Sequence, residues 1–365
     1  MSRPTRAIAG AVAALLAVAS LLGCSNAVPG SGATGDPDTA KIGLLLPDSV
    51  TARYDSADRP YFEQRIAELC PGCEVLYANA DGDVAKQQQQ AESMLTQGVR
   101  VLVLDPYDGV AAAAIVGLAT TRGVPVIAYD RLIASKDLAY YISFDNELVG
   151  RLQAQALVDE LRSRGVDPSS GGILMVNGSP TDNNASQFKA GAHDVIDASG
   201  YQVLAEFDTP GWDPAKAQDW VSGQITQFGN RIVGVYAAND PTAGGAIASL
   251  KAAGVSPLPP VTGQDAELAG LQRILTGDQF MTVYKALRPE ANRAAELAID
   301  LVNGRSPAGE VQVDVDGTAI PSFLLEPIAV TRDEIGPVVI GDGFFTRAQL
   351  CTSEYAAACA AAGLG

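Results

Sequence analysis

At seven places in this 365-residue chain a short apolar, β-branched run stops on residues that carry hydrogen-bonding or flat aromatic groups. The runs are KIGLLLPD (41–48), VRVLVLDPY (99–107), VPVIAYDR (124–131), GGILMVNGSP (171–180), IVGVYAAND (232–240), PPVTGQD (259–265) and FMTVYK (280–285). Carboxylates, amides, a guanidinium and an ammonium at such points give and take hydrogen bonds in fixed geometry, which suits a polyhydroxylated ligand. Hydrogen bonds of this charge-assisted kind contribute about 1.5–3 kcal/mol each. Reaction chemistry is poorly served. Acids stand at strand ends (Asp48, Asp130, Asp265), but the single histidine, His193, lies inside FKAGAHDVI and reads as a surface residue. No GxSxG, GxxxxGK[ST] or HExxH occurs, nor a GxGxxG after the first run. No catalytic residue is nominated, and neither a cofactor nor a metal is expected.

Each run is too short for a buried helix and is followed by a helix-period segment, so the runs read as central strands of parallel βα units. In open α/β sheets ligands sit beyond the carboxyl ends of such strands, where these polar residues fall. The first half predicts strand 41–47, helix 59–69, strand 74–78, helix 84–97 between Asp83 and Gly98, strand 100–104, helix 109–121 capped by Asp105, strand 124–129 and a strand in 140–146. Helix 147–163 opens a second cycle that runs to a strand at 280–284, with Gly244 and Gly245 placed to let helices approach closely. The class is α/β, with two doubly wound parallel-sheet lobes. Helix 287–303 and strands near 310–315 and 324–330 are left over. The economical path takes them back to the first lobe after Lys285 and out again near Ile320. That gives lobes of 41–146 plus 287–319 and 147–286 plus 320–350, a tail of 351–365, and a hinge of three crossings near Asn146, Leu287 and Ile320.

The formal charge of −17 becomes −19 without residues 1–23, which hold Arg3 and Arg6 and no acid. That balance argues against nucleic acid or anionic lipid as partner. Residues 1–23 read as an export signal: two arginines, then a 15-residue apolar stretch from Ile8 to Leu22, short of the roughly 20 residues that span a bilayer. LLGC (21–24) resembles the lipobox of bacterial lipoproteins, in which cleavage leaves Cys24 first in the mature chain to take a diacylglycerol. The Ser/Gly-rich stretch 24–40 then reads as a tether, and the expected location is extracytoplasmic, lipid-anchored to the cell membrane. The other cysteines form two close pairs, Cys70/Cys73 and Cys351/Cys359. Four cysteines allow three connectivities, and export favours the two local disulfides.

LDPYDG (104–109), AYDR (128–131), YISFDNELVGRLQAQAL (141–157), NGSPTDNNA (177–185), ANDPTAGGA (238–246), GQDAELAG (263–270) and MTVYK (281–285) together resemble the sugar-binding proteins of bacterial ABC importers, in particular the D-xylose-binding branch of periplasmic binding protein type I. The likeness runs in order over roughly residues 40–350. It implies a monosaccharide ligand, a pentose and specifically D-xylose, with glucose, galactose or arabinose as the alternative for uptake or sensing. Its partners would be the transmembrane permease subunits, and the chain would act as a monomer. Position by position it implies ligand contacts from Arg53 and Tyr54 after the first strand, Asp130 and Arg131 of YDR, Asn183 or Asn184 of DNNA, Trp212, Asn239, Asp265 and Lys285. The family usually has Trp where Tyr54 stands. Tyr54 and Trp212 would sandwich the sugar ring.

Overall fold

The computed structural model describes residues 36–306 and 308–365; the export signal, Cys24 and the start of the tether lie outside them. The first βα series runs β1 (Lys41–Leu46), α1 (Arg59–Leu69), β2 (Glu74–Asn79), α2 (Val84–Thr96), β3 (Val101–Leu104), α3 (Ala113–Thr121), β4 (Val126–Tyr129) and β5 (Tyr140–Phe144). A second follows as α4 (Asn146–Ser163), β6 (Gly172–Asn177), α5 (Asn183–Ser199), β7 (Gln202–Asp208), α6 (Pro214–Phe228), β8 (Ile232–Ala237), α7 (Asp240–Ala252), α8 (Leu268–Thr276) and β9 (Thr282–Tyr284). The chain finishes with α9 (Leu287–Val302), β10 (Val311–Val315), β11 (Thr318–Leu325), β12 (Ile328–Val330), α10 (Arg347–Leu350) and α11 (Ala356–Ala361).

Two sheets result. The first has the order β10-β11-β5-β4-β3-β1-β2 and is parallel except for β10, which forms an antiparallel hairpin with β11. Its strands β1, β3, β4 and β5 are buried along almost their whole length because helices cover both faces, which is why they read as continuous apolar runs. In the second lobe β6 lies between β7 and β8. The segment 260–265 continues that sheet: Val235 N–H bonds Pro260 C=O at 2.9 Å, and Val283 N–H bonds Gly263 C=O at 3.0 Å. Helices α6 and α7 pack tightly there, for a Cβ on Gly245 would stand 2.2 Å from the Pro214 carbonyl oxygen.

After β9 the chain returns to the first lobe, where the alanine face of α9 packs with Phe62 and Ile66 of α1 under the sheet. Its exit differs from the sequence reading. β11 stays paired with β5 from Ser322↔Tyr141 to Leu325↔Phe144, so the crossing falls between Leu325 and Ile328 and not near Ile320. Residues 320–325 belong to the first sheet; β12 then joins β9 in the second lobe. Two crossing segments run side by side, with Asp145 N–H on Leu325 C=O at 3.0 Å.

The tail is likewise no appendage. Leu350, Cys359 and Leu364 are buried with Leu271, Ile335 and Val339 in one cluster, because these apolar side chains need the cover that α8 offers. Cys351 is bonded to Cys359 there, and Cys70 to Cys73 at the end of α1. The tether also ends earlier than the sequence suggests, since Asp36 caps a helical turn at Pro37–Thr39 and Ala40 is already buried.

Candidate functional site

Loops leaving the carboxyl ends of β1, β3 and β4 meet those leaving β6 and β8 and the 260–265 segment, at the point in each sheet where strand order reverses. Between them lies a small polar cavity. Arg53, Tyr54, Asp130 and Arg131 line it from the first lobe; Asn184, Trp212, Asn239 and Asp265 line it from the second; Lys285 lies where β9 leads into a crossing. Asn183 is the nominated residue that does not line it. At the first turn of α5 it faces an outer groove with Asp108 and Pro180, and the helix turns Asn184 inward instead. His193 bonds Asp197 and Glu206 on the outer side of α5, away from the cavity. Among the described residues no group of acids, cysteines and histidine is placed to hold a metal ion.

The first-lobe wall is built from buried ion pairs. Arg53 donates from Nε to Asp58 Oδ2 at 2.9 Å and from Nη2 to Asp58 Oδ1 at 2.6 Å and Glu290 Oε2 at 2.8 Å. Its Nη1 lies 3.3 Å from Asp130 Oδ1. Arg131 donates from Nη2 to the Tyr54 hydroxyl at 3.0 Å, and its Nε is 3.0 Å from Asp182 Oδ2 of the other lobe. Tyr54 therefore spends its hydroxyl on Arg131, with both Arg53 and Arg131 close to its ring. It forms part of a charged wall, a different role from the free stacking face expected of it. Asp105 is not a helix cap: α3 starts only at Ala113, and Asp108 caps Val110 and Ala111. Fully buried 3.8 Å from Arg131 Nε, its oxygens have no hydrogen-bond partner, and burial pushes its carboxyl well above the usual range.

The second-lobe wall is made of helix starts. Asp182 caps α5 through Asn184 N–H at 2.9 Å, and its Oδ2 accepts the Trp212 indole N–H at 3.1 Å. Asn239 caps α7, its Oδ1 accepting from Thr242 N–H at 3.0 Å, which leaves its amide donors for a ligand. The Trp212 ring lies so close over Gly178 that a Cβ there would stand 2.1 Å from it. Asp130, Trp212 and Asp265 have φ of +54°, +56° and +88°, left-handed values that cost non-glycine residues about 1–3 kcal/mol and gather at functional sites. Lys285 joins the walls, with Nζ 3.1 Å from Asp265 and 3.7 Å from Asp130. Burial would raise the Asp130 carboxyl, but Arg53, Lys285 and Arg131 outweigh it and hold the group down to about 2.

Sequence reasoning missed four lining residues: Thr51, Asp182, Phe188 and Gln264. Phe188 stands one helical turn after Asn184 and Gln264 directly precedes Asp265, so face-sharing on α5 and the GQD strand end could have found both. Facing the cavity are three cations (Arg53, Arg131, Lys285) and three carboxyl groups (Asp130, Asp182, Asp265). Arg53 Nη1, Asp130 Oδ1 and Asp265 Oδ1 are buried in ion pairs without a hydrogen bond of good geometry, and Gln264 Oε1 is buried with no partner. Such atoms are costly unless something supplies the missing bonds. A small, uncharged ligand rich in hydroxyls fits that balance.

Residues 42–306 match the model of the periplasmic binding protein domain. Over 314 residues the chain is 40% identical to the D-xylose-binding periplasmic protein of Escherichia coli, covering 85% of this chain and 92% of that protein. It is 38% identical, with the same coverage, to the D-xylose-binding periplasmic protein of Haemophilus influenzae. A solved ABC transporter solute-binding protein from Clostridium phytofermentans, with β-D-glucose bound, superposes with a TM-score of 0.78 at 29% identity, covering 85% of this chain and 99% of that one.

Proposed function

The chain belongs to the type I periplasmic binding proteins, in their D-xylose-binding branch, and on that premise we propose that it captures a pentose, D-xylose, between two closing lobes and presents it to an ABC permease. It is a binding protein of sugar import and not an enzyme. The observation that carries the reading is a cavity of balanced charge whose buried donors and acceptors still have hydrogen-bonding capacity to offer. A sugar hydroxyl donates to Asp130, Asp265 or Gln264 and accepts from Arg53, while Trp212 and Phe188 offer flat apolar faces. Each lobe supplies only part of these contacts. The ligand accordingly binds the closed form better than the open one, and that difference drives closure.

Calorimetry with D-xylose, D-glucose, L-arabinose and D-ribose tests the assignment, with D-xylose expected to bind at micromolar affinity or tighter, about −8 kcal/mol. No heat with any pentose would remove the xylose reading. A hexose is the second reading, favoured by the glucose held in the Clostridium phytofermentans relative. We also place the mature chain on the outer face of the membrane through a lipid on Cys24, since LLGC precedes a tether with no membrane affinity of its own. No helix among the described residues is long and apolar enough to cross a membrane. Cys24→Ala should move the protein to the soluble fraction or leave it unprocessed; a processed variant still firmly bound to membranes would refute the anchor.

A further inference from the structure

Glu267 occupies the N-cap position of α8 but makes no capping bond with its side chain. Its Oε1 accepts instead the Ala52 N–H at 3.2 Å, from the loop after β1, 215 residues away in sequence and in the other lobe. That loop delivers Arg53 and Tyr54 to the cavity, and the segment bearing Glu267 delivers Gln264 and Asp265. The bond thus ties two lining segments directly across the cleft. On the rim formed by the loops after β3 and β6, the lobes are joined without an ionisable group: Gly109 N–H bonds Thr181 C=O at 3.1 Å, and the Thr181 hydroxyl bonds Tyr107 C=O at 3.3 Å.

The groups that face Glu267 are mostly acidic. Asp240 of α7 accepts the Glu267 backbone N–H at 2.8 Å, and Asp265 lies two residues upstream. Arg273 of α8 opposes them, but it is engaged with Asp240 C=O at 2.7 Å and Gln279 Oε1 at 3.0 Å. The loop after β1 presents a main-chain N–H.

Resting on the solute-binding reading, we propose that Glu267 is a positioning residue that latches the lobes together and takes up a proton as they close. The sign follows from its surroundings. In the closed arrangement burial first, then Asp240 and Asp265, push the carboxyl up to about 8. Facing solvent in an open cleft it would lose much of that burial while keeping Asp240 and Asp265 beside it, and would titrate below that value, toward the ordinary one of about 4.3. Between those values the closed form holds one more proton than the open form, so closure is favoured at lower pH and lost as pH rises through about 8. Asp240, also raised, to about 7, is fully buried within its own lobe and does not change surroundings across the cleft.

Calorimetry of the full chain with D-xylose from pH 6 to pH 9 tests this, alongside scattering of the ligand-free protein over the same range. The wild type should bind about tenfold more weakly at pH 9 than at pH 7. Glu267→Gln keeps an acceptor for the Ala52 N–H but cannot titrate, and its affinity should not vary with pH. Glu267→Ala should be equally insensitive to pH and weaker throughout. A wild type that is flat over this range, or a Gln variant that keeps the wild-type slope, overturns the latch. If D-xylose gives no heat with any variant, the xylose reading falls and scattering decides the latch alone. A radius of gyration that grows between pH 7 and 9 in the wild type but not in the Gln variant supports it; an unchanged radius overturns it.

Discussion

The two walls of the cleft hold comparable polar groups by different means. In the first lobe, Arg53 is clamped by Asp58 and Glu290, and Tyr129 donates to Asp58 from beneath, so ion pairs buried in the lobe set where the cavity-facing atoms lie. In the second lobe, Asp182 and Asn239 are fixed by helix starts, each bonding backbone N–H groups a few residues along the chain. A wall of ion pairs depends on residues far apart in sequence, such as Arg53 and Glu290, whereas a wall of caps is local. The first should therefore fail as a unit when one member is lost, and the second piece by piece.

Arg53→Ala tests the larger effect. It leaves Asp58, Glu290 and Asp130 facing one another without their shared cation and should cost about 3–5 kcal/mol of unfolding free energy, read as a lowered urea midpoint. Asp265→Ala should act on binding instead, weakening ligand affinity by about 2–5 kcal/mol through the loss of the Lys285 partner. Calorimetry paired with a denaturation curve checks it, and lost stability with unchanged affinity would contradict the contrast between walls. Asn239→Ala removes one cap and should cost about 1 kcal/mol of stability. If that midpoint falls as far as that of Arg53→Ala, the walls are not built differently after all.

The strands that end on the cavity were legible because a strand covered on both faces must be apolar, and the first polar residue then marks its end. The Asp83 cap of α2 was legible for the same local reason. The pairing of β11 with β5 was not. Its partners are about 180 residues apart, as in Ser322↔Tyr141, and Pro321 inside the strand reads as an interruption. Asp105 misled because an acid after a strand resembles a helix cap until the approach of Arg131, which the sequence does not reveal, is known. Tyr54 misled likewise, since its position announces an aromatic face but says nothing of where its hydroxyl is spent.

The left-handed backbone at Asp130, Trp212 and Asp265 restricts the alphabet from which this cleft can be rewritten. Glycine accepts such φ values freely, asparagine and aspartate at less cost than other residues, and β-branched residues least of all. An Asp→Asn exchange there probes charge alone, but a Val or Thr at the same place would disturb the main chain and report on that instead. Redirecting the protein to another solute is better begun at Thr51 and Gln264, which lie outside the left-handed region and cap no helix. Those two positions can vary while the backbone that aims the two aspartates stays as it is.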